Sequence, residues 1–168
     1  MKDALSLHRL LLELQTVHEI VRLPNAITSA DELPKVLGLP RSRCLCTRVY
    51  ADDTRCRAAV IVTAGTWPPE TLVAEAIDVE TVVPAHAALV NEATEYAADL
   101  VSPLMLPEDL TMLVDQSVAD GDDVVYTATG EPNTALGIRT PDLLELCPAK
   151  PVPIVRALRQ VPRNRPEQ

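Results

Sequence analysis

Tyr96-Ala-Ala-Asp-Leu-Val-Ser-Pro103 and, further on, Leu110-Thr-Met-Leu-Val-Asp115 decide how this chain is read. The second stretch is a short apolar run and reads as a β-strand over 110–114. The first is an apolar approach that breaks at Ser102-Pro103, a step that fixes loop shape. By itself Asp99 reads as a helix cap or an exposed turn acid. A loop that feeds a strand is therefore the centre from which the rest is ordered.

Toward the N-terminus, Leu5, Leu7, Leu10, Leu11, Leu12 and Leu14 are interleaved with polar residues, which predicts an amphipathic helix over 3–14. Val17–Leu23 reads as a strand that Pro24-Asn25 ends. Thr28 or Ser29 caps a following helix, with Asp31 and Glu32 in its favourable first turn and Gly38 and Pro40 as stop signals. Cys44–Ala51 and Arg57–Thr63 form a hairpin around Asp52-Asp53-Thr54. Pro69 opens a helix over 70–77. Asp78–Val83 is expected to be a strand and Pro84 the start of a helix reaching Val90. Val124–Ala128 is a strand, Asp120-Gly-Asp-Asp123 a turn and Pro141–Leu146 a short helix. Mixed strands and helices in one small unit give an α/β (α+β-like) layered domain over 1–150. A Pro- and Arg-containing tail follows over 151–168, expected to be mobile from Arg159 onward.

The chain has 168 residues, 47% of them hydrophobic, enough for one packed core. Only Tyr50, Trp67, Tyr96 and Tyr126 are aromatic, so the core must rest on Leu, Val, Ala and Ile. That count argues against a stacking platform for single-stranded nucleic acid, which needs exposed rings. No apolar run approaches the ~20 residues of a membrane span, and no signal-peptide pattern is found. A cytoplasmic location is expected. Cys44, Cys46, Cys56 and Cys147 follow neither a zinc nor a secreted-disulfide spacing. Net charge is -9, yet residues 70–123 hold thirteen acids and no Lys or Arg, while five basic residues follow from Lys150. A nucleic acid would have to meet the basic side.

Several stretches together resemble the YbaK/EbsC-like family of aminoacyl-tRNA deacylases, related to the editing insertion of bacterial prolyl-tRNA synthetase. They are His18-Glu19, the Ser29–Pro40 helix with Leu37-Gly-Leu-Pro40, Cys44-Leu-Cys-Thr47, the 96–103 stretch, Asp115-Gln-Ser-Val118 and Leu136–Leu146. The resemblance implies a single domain with a twisted mixed β-sheet surrounded by helices. It places Cys46 where members carry lysine, and Asp99 and Leu100 where they carry two glycines. Val101, Ser102 and Pro103 keep the rest of the motif.

The implied chemistry is hydrolysis of the ester between an amino acid and a tRNA terminal ribose. Backbone N–H groups stabilise the oxyanion well because they are fixed before charge develops, and glycines permit the close approach. Cys46, Asp99, Leu100 and Ser102 are accordingly the candidate catalytic positions. His18, Thr47, Arg48, Val101, Pro103, Asp115, Gly130 and Arg139 are the candidate substrate contacts. Asp99 opposes an oxyanion by its charge, or binds the substrate's amino group. Leu100 narrows the space. Cys46 cannot supply lysine's charge; it packs, walls a pocket or acts as a thiol. Arg48, two residues on, shares its strand face and either replaces the missing cation or makes a surface ion pair. His86 reads as packing in or at the edge of an Ala-rich helix, and His8 as lying on the surface of the first helix.

The resemblance implies aminoacyl-tRNA as partner, with no DNA, no membrane, no metal and no organic cofactor. Two further readings stay open: a non-catalytic binding module for aminoacyl-tRNA, a small molecule or a protein, and redox chemistry at Cys44 and Cys46.

Overall fold

The structure, a computed structural model, describes residues 1–154. The mobility expected from Arg159 onward lies outside the described residues. In chain order the strands are His18–Arg22 (β1), Cys44–Ala51 (β2), Cys56–Thr63 (β3), Val83–Pro84 (β4), Thr111–Asp115 (β5), Val124–Ala128 (β6), Thr134–Arg139 (β7) and Lys150–Val152 (β8). The helices are Ala4–Glu13 (α1), Leu33–Leu37 (α2), Glu70–Ala76 (α3), Ala87–Thr94 (α4), Gln116–Ala119 (α5) and Thr140–Leu146 (α6).

The strands make one mixed sheet in the order β1-β7-β6-β2-β3-β5-β8, with β4 on β2 outside that path. The pairs β1/β7, β6/β7, β2/β3 and β2/β4 are antiparallel; β2/β6, β3/β5 and β5/β8 are parallel. The central strands β2 and β3 are almost wholly buried, as continuous apolar runs are when both sheet faces are covered. Their side chains alternate. Cys44, Cys46 and Val60 join Leu33 of α2 and Val73 of α3 on one face. Leu45 and Ile61 join Leu7 and Leu11 of α1, Val118 of α5 and Leu143 of α6 on the other. Each fully buried Leu contributes about 1.5–3 kcal/mol. A third cluster joins Val49 and Ala59 to Val90 of α4 and to Tyr96, Val101 and Leu110.

Local signals explain most boundaries. Asp3 caps α1 by accepting the Ser6 N–H at 2.8 Å. Ser29 and Glu32 form a capping box around the short 3-10 turn Ala30–Glu32 that leads into α2. Gly38 ends α2 with a left-handed backbone, φ 64°.

Two expectations fail around Pro84. The strand there is two residues long rather than spanning 78–83, and Pro84 lies in it instead of opening a helix. The helix begins at Ala87, with His86 as its N-cap. Pro84 is tolerated in β4 because β4 lies off the main strand order and pairs β2 through only two positions. The sheet also runs past residue 150: β8 pairs β5, and Ile154 is fully buried. The signal there is weak because three residues suffice when the partner strand is already in place.

Candidate functional site: a cavity where the sheet divides

β2 changes partner along one edge. It pairs β6 only through Cys44 and Leu45, and meets β4 only at Tyr50 and Ala51. Cys46–Val49 lie between the two, and Val49 O accepts the Ala85 N–H at 2.9 Å. A cavity of about 120 Å³ opens at this division. Ala30, Ala85, Ala87 and Ala98 line it, with Val49 and Val90. Such a lining leaves room for a small apolar group. Cys46, Thr47, Arg48, Trp67, Asp99 and Val101 also contribute to the wall.

The polar side of the cavity is organised by Asp31. Its carboxylate accepts Arg48 Nη1–H and Nη2–H, each at 2.8 Å, the Gly65 N–H at 2.8 Å and the Cys46 thiol at 3.4 Å. Arg48 also donates to Thr66 O from Nε at 3.1 Å and Nη2 at 2.9 Å. Its guanidinium lies 3.9 Å from the Trp67 ring centroid, a cation–π contact. Burial pushes the Asp31 carboxyl up, but hydrogen bonds from Arg48 and Gly65 outweigh that and bring it to about 2. Burial pushes the Cys46 thiol well above its ordinary value, despite the pull of Arg48. It also raises Cys44 to about 11. These thiols stay protonated near neutral pH, unlike the thiolates that react.

The segment from Glu95 to Met105 supplies the other wall. Three of its non-glycine residues have left-handed backbones: Glu95 at φ 60°, Asp99 at φ 66° and Met105 at φ 61°. Such conformations cost free energy and concentrate at functional sites. The loop is held from several sides. Asp99 O accepts the Ala30 N–H at 2.8 Å, and Leu100 N–H donates to Ala97 O at 3.1 Å. Tyr96 OH donates to Leu104 O at 2.7 Å. Lys2 Nζ donates to Thr94 O at 2.8 Å and to Met105 O. Among the described residues, the Val101 and Ser102 N–H groups have no protein acceptor. Leu100 turns into the core instead of the cavity.

Residues 24–146 match the family model of the aminoacyl-tRNA editing domain. The chain belongs to that family. The fold agrees with solved structures. A crystal structure of hypothetical protein APE2540 has TM-score 0.76 and 20% identity, covering 86% of this chain and 95% of that one. A protein described as a candidate trans-editing enzyme for prolyl-tRNA synthetase has TM-score 0.69 and 18% identity, covering 80% and 84%. No curated protein matches in sequence. The YbaK-like kinship and the mixed sheet clad in helices thus both hold for this editing domain.

Of the positions singled out in the sequence, the editing domain brings Cys46, Thr47, Arg48, Asp99 and Val101 to one cavity. Arg48 is buried rather than part of a surface pair. Ser102 is fully buried and its Oγ accepts the Leu104 N–H at 3.3 Å, while Pro103 is buried behind it. The others lie elsewhere. His18 Nε2 meets His8 Nδ1 at 2.8 Å, in a separate groove lined by Glu19 and Glu131. Asp115 is buried away from the cavity and accepts the Ile154 N–H at 3.2 Å and the Ser117 hydroxyl at 2.8 Å. Gly130, at φ 91°, faces Lys2 O, which a Cβ would approach to 2.5 Å. It therefore seats the N-terminal arm behind the loop. Arg139 is exposed at the start of α6, away from the cavity lining.

Sequence reasoning missed Asp31 and Trp67 as site residues. Asp31 read as a first-turn acid, and nothing local reveals a partner seventeen positions away. Trp67 has one signal, a large ring between Thr66 and Pro68 in a loop. Among the described residues, no cluster of three His, Cys, Asp or Glu side chains could hold a metal ion. None of their helices is long and apolar enough to cross a membrane.

Proposed function

We propose that this editing domain acts in trans as an aminoacyl-tRNA deacylase on esters of small amino acids. The observation that carries the reading is Asp99 at φ 66°. It gives the loop a glycine-like backbone without a glycine, which aspartate adopts more readily than most residues. The loop shape that lets backbone donors approach a substrate is therefore compatible with this sequence.

In this reading the small side chain enters the alanine-lined cavity. The exposed Asp99 carboxylate meets the substrate's α-ammonium group. The carbonyl oxygen faces the Val101 N–H at the cavity wall, which takes up its developing charge. Water adds to the carbonyl carbon, the ester C–O bond breaks, and the ribose oxygen receives the proton that the water gives up. Free amino acid and tRNA leave. Cys46 serves as wall and hydrogen-bond donor to Asp31, and Arg48 as a structural cation, because its charge is already opposed by Asp31.

A binding module without hydrolysis is the second reading. It is favoured by the same neutralised Arg48, since the cavity then offers phosphate no uncommitted cation. Release of free amino acid from a panel of correctly charged and mischarged tRNAs separates the two. The deacylase reading expects enzyme-dependent release from a tRNA carrying a small amino acid, reduced roughly ten-fold or more by Asp99→Ala. No release by folded protein across the panel would leave the binding module. Release seen only with Cys46→Lys would mark a scaffold that has lost its catalytic cation.

A further inference from the structure

We infer that Trp67 and Arg41 form a nucleotide subsite beside the cavity, with the ring stacking on the terminal adenine and the guanidinium meeting its phosphate. This deepens the deacylase reading and rests on it for the identity of the nucleotide.

Trp67 is the chain's single tryptophan and is 50% exposed. The loop that carries it is tied down by hydrogen bonds on either side of the ring. Gly65 N–H donates to Asp31, Thr66 O accepts from Arg48, and Thr66 Oγ1 lies 3.1 Å from Thr63 Oγ1. Pro68 O accepts the buried Tyr50 hydroxyl at 2.7 Å. The ring is therefore held at the cavity wall before any ligand arrives. Arg48 lies over one face and can cover only that one. A flat base on the opposite face completes a guanidinium–indole–base sandwich. One ring stacks one base, which suits a single terminal nucleotide and agrees with the scarcity of aromatics elsewhere.

Arg41 supplies the charge that the cavity lacks. It is exposed, and its Nη1 lies 3.2 Å from the point a Cβ on Gly65 would occupy. The absent side chain at Gly65 is what lets the guanidinium lie against the loop, two residues from Trp67. Among the described residues, Arg41 has no carboxylate within ion-pair distance. A planar guanidinium suits a phosphate.

The single tryptophan makes the subsite directly observable. Titrating the whole protein with adenosine 5′-monophosphate should quench Trp67 fluorescence saturably, with adenosine weaker, and Arg41→Ala should remove most of the difference between the two. On the aminoacyl-tRNA that the wild type hydrolyses, Trp67→Ala should raise KM roughly ten-fold or more with a smaller change in kcat. Trp67→Phe should recover most of that loss, whereas Trp67→Leu, which fills the space without a ring to stack on, should not. Saturable quenching without hydrolysis of any tRNA would keep the subsite and sink the deacylase reading. Hydrolysis with wild-type KM in folded Trp67→Ala, or no saturable quenching by the mononucleotide, would overturn the subsite and leave that reading standing.

Discussion

Two carboxylate–arginine assemblies in this editing domain use the same parts and do different work. At the β2–β3 turn, Asp52 accepts the Thr54 N–H, the Thr54 hydroxyl, the Arg55 N–H and Arg57 Nε–H. Every partner lies within five residues. At the cavity, Asp31 accepts Arg48, Gly65 and Cys46, which lie fifteen to thirty-four positions away. The Arg48 side chain is 7% exposed and that of Asp31 32%. The first assembly shapes its own turn. The second joins three segments into one wall. Identical chemistry thus becomes architectural where the partners are distant in sequence and the arginine is buried, 7% exposed at Arg48 against 29% at Arg57.

The largest expected effect breaks the second assembly. Arg48→Met should cost about 2–4 kcal/mol in denaturant unfolding, because it leaves the Asp31 carboxylate unpaired and only partly solvated. It should also free the loop that carries Trp67. Arg57→Met, the matching change at the turn, should cost clearly less, since Asp52 keeps its Thr54 and Arg55 donors. Similar losses for both would mean that the separation of partners does not matter.

A smaller effect lies in acid. Asp31 sits at about 2 against an ordinary 3.8. A depressed carboxyl contributes stability above its unfolded value, and that stability is lost as pH falls through the folded one. Between about pH 4 and pH 2 this group should therefore forfeit roughly 1–2 kcal/mol. Arg48→Met should flatten the stability-versus-pH curve in that window. A curve parallel to the wild type's would show that Asp31 is not held down by Arg48.

The same contrast explains what could be read in the sequence. The Asp52-Asp53-Thr54 turn, a helix cap at Thr28 or Ser29, both central strands and the α1 stripe were legible because each depends on neighbours in the chain. Cys46, Thr47, Asp99 and Val101, taken from the family pattern, and Arg48, taken from strand alternation, line one cavity, while His18, Asp115, Gly130 and Arg139 do not. The Asp31 bridge was not, since no local pattern marks a pairing across seventeen residues. Pro84 was misread because a proline before an apolar run resembles a helix start. Only contact with the end of β2 makes it a strand.

Asp99 carries the finest test, because its backbone and its charge can be separated. Glycine at φ 66° is free of the left-handed cost but has a looser unfolded chain. Asp99→Gly should therefore change stability by less than about 1 kcal/mol. Asp99→Ala keeps the Cβ but loses aspartate's local hydrogen bonding, so it should destabilise by about 1 kcal/mol. Both remove the carboxylate. If that group meets the substrate's ammonium, hydrolysis falls in both variants, and the glycine form does not recover it despite its relaxed loop. If instead the carboxylate opposes the oxyanion, Asp99→Gly hydrolyses faster than the wild type, and aspartate serves this loop only as a stand-in for glycine's backbone.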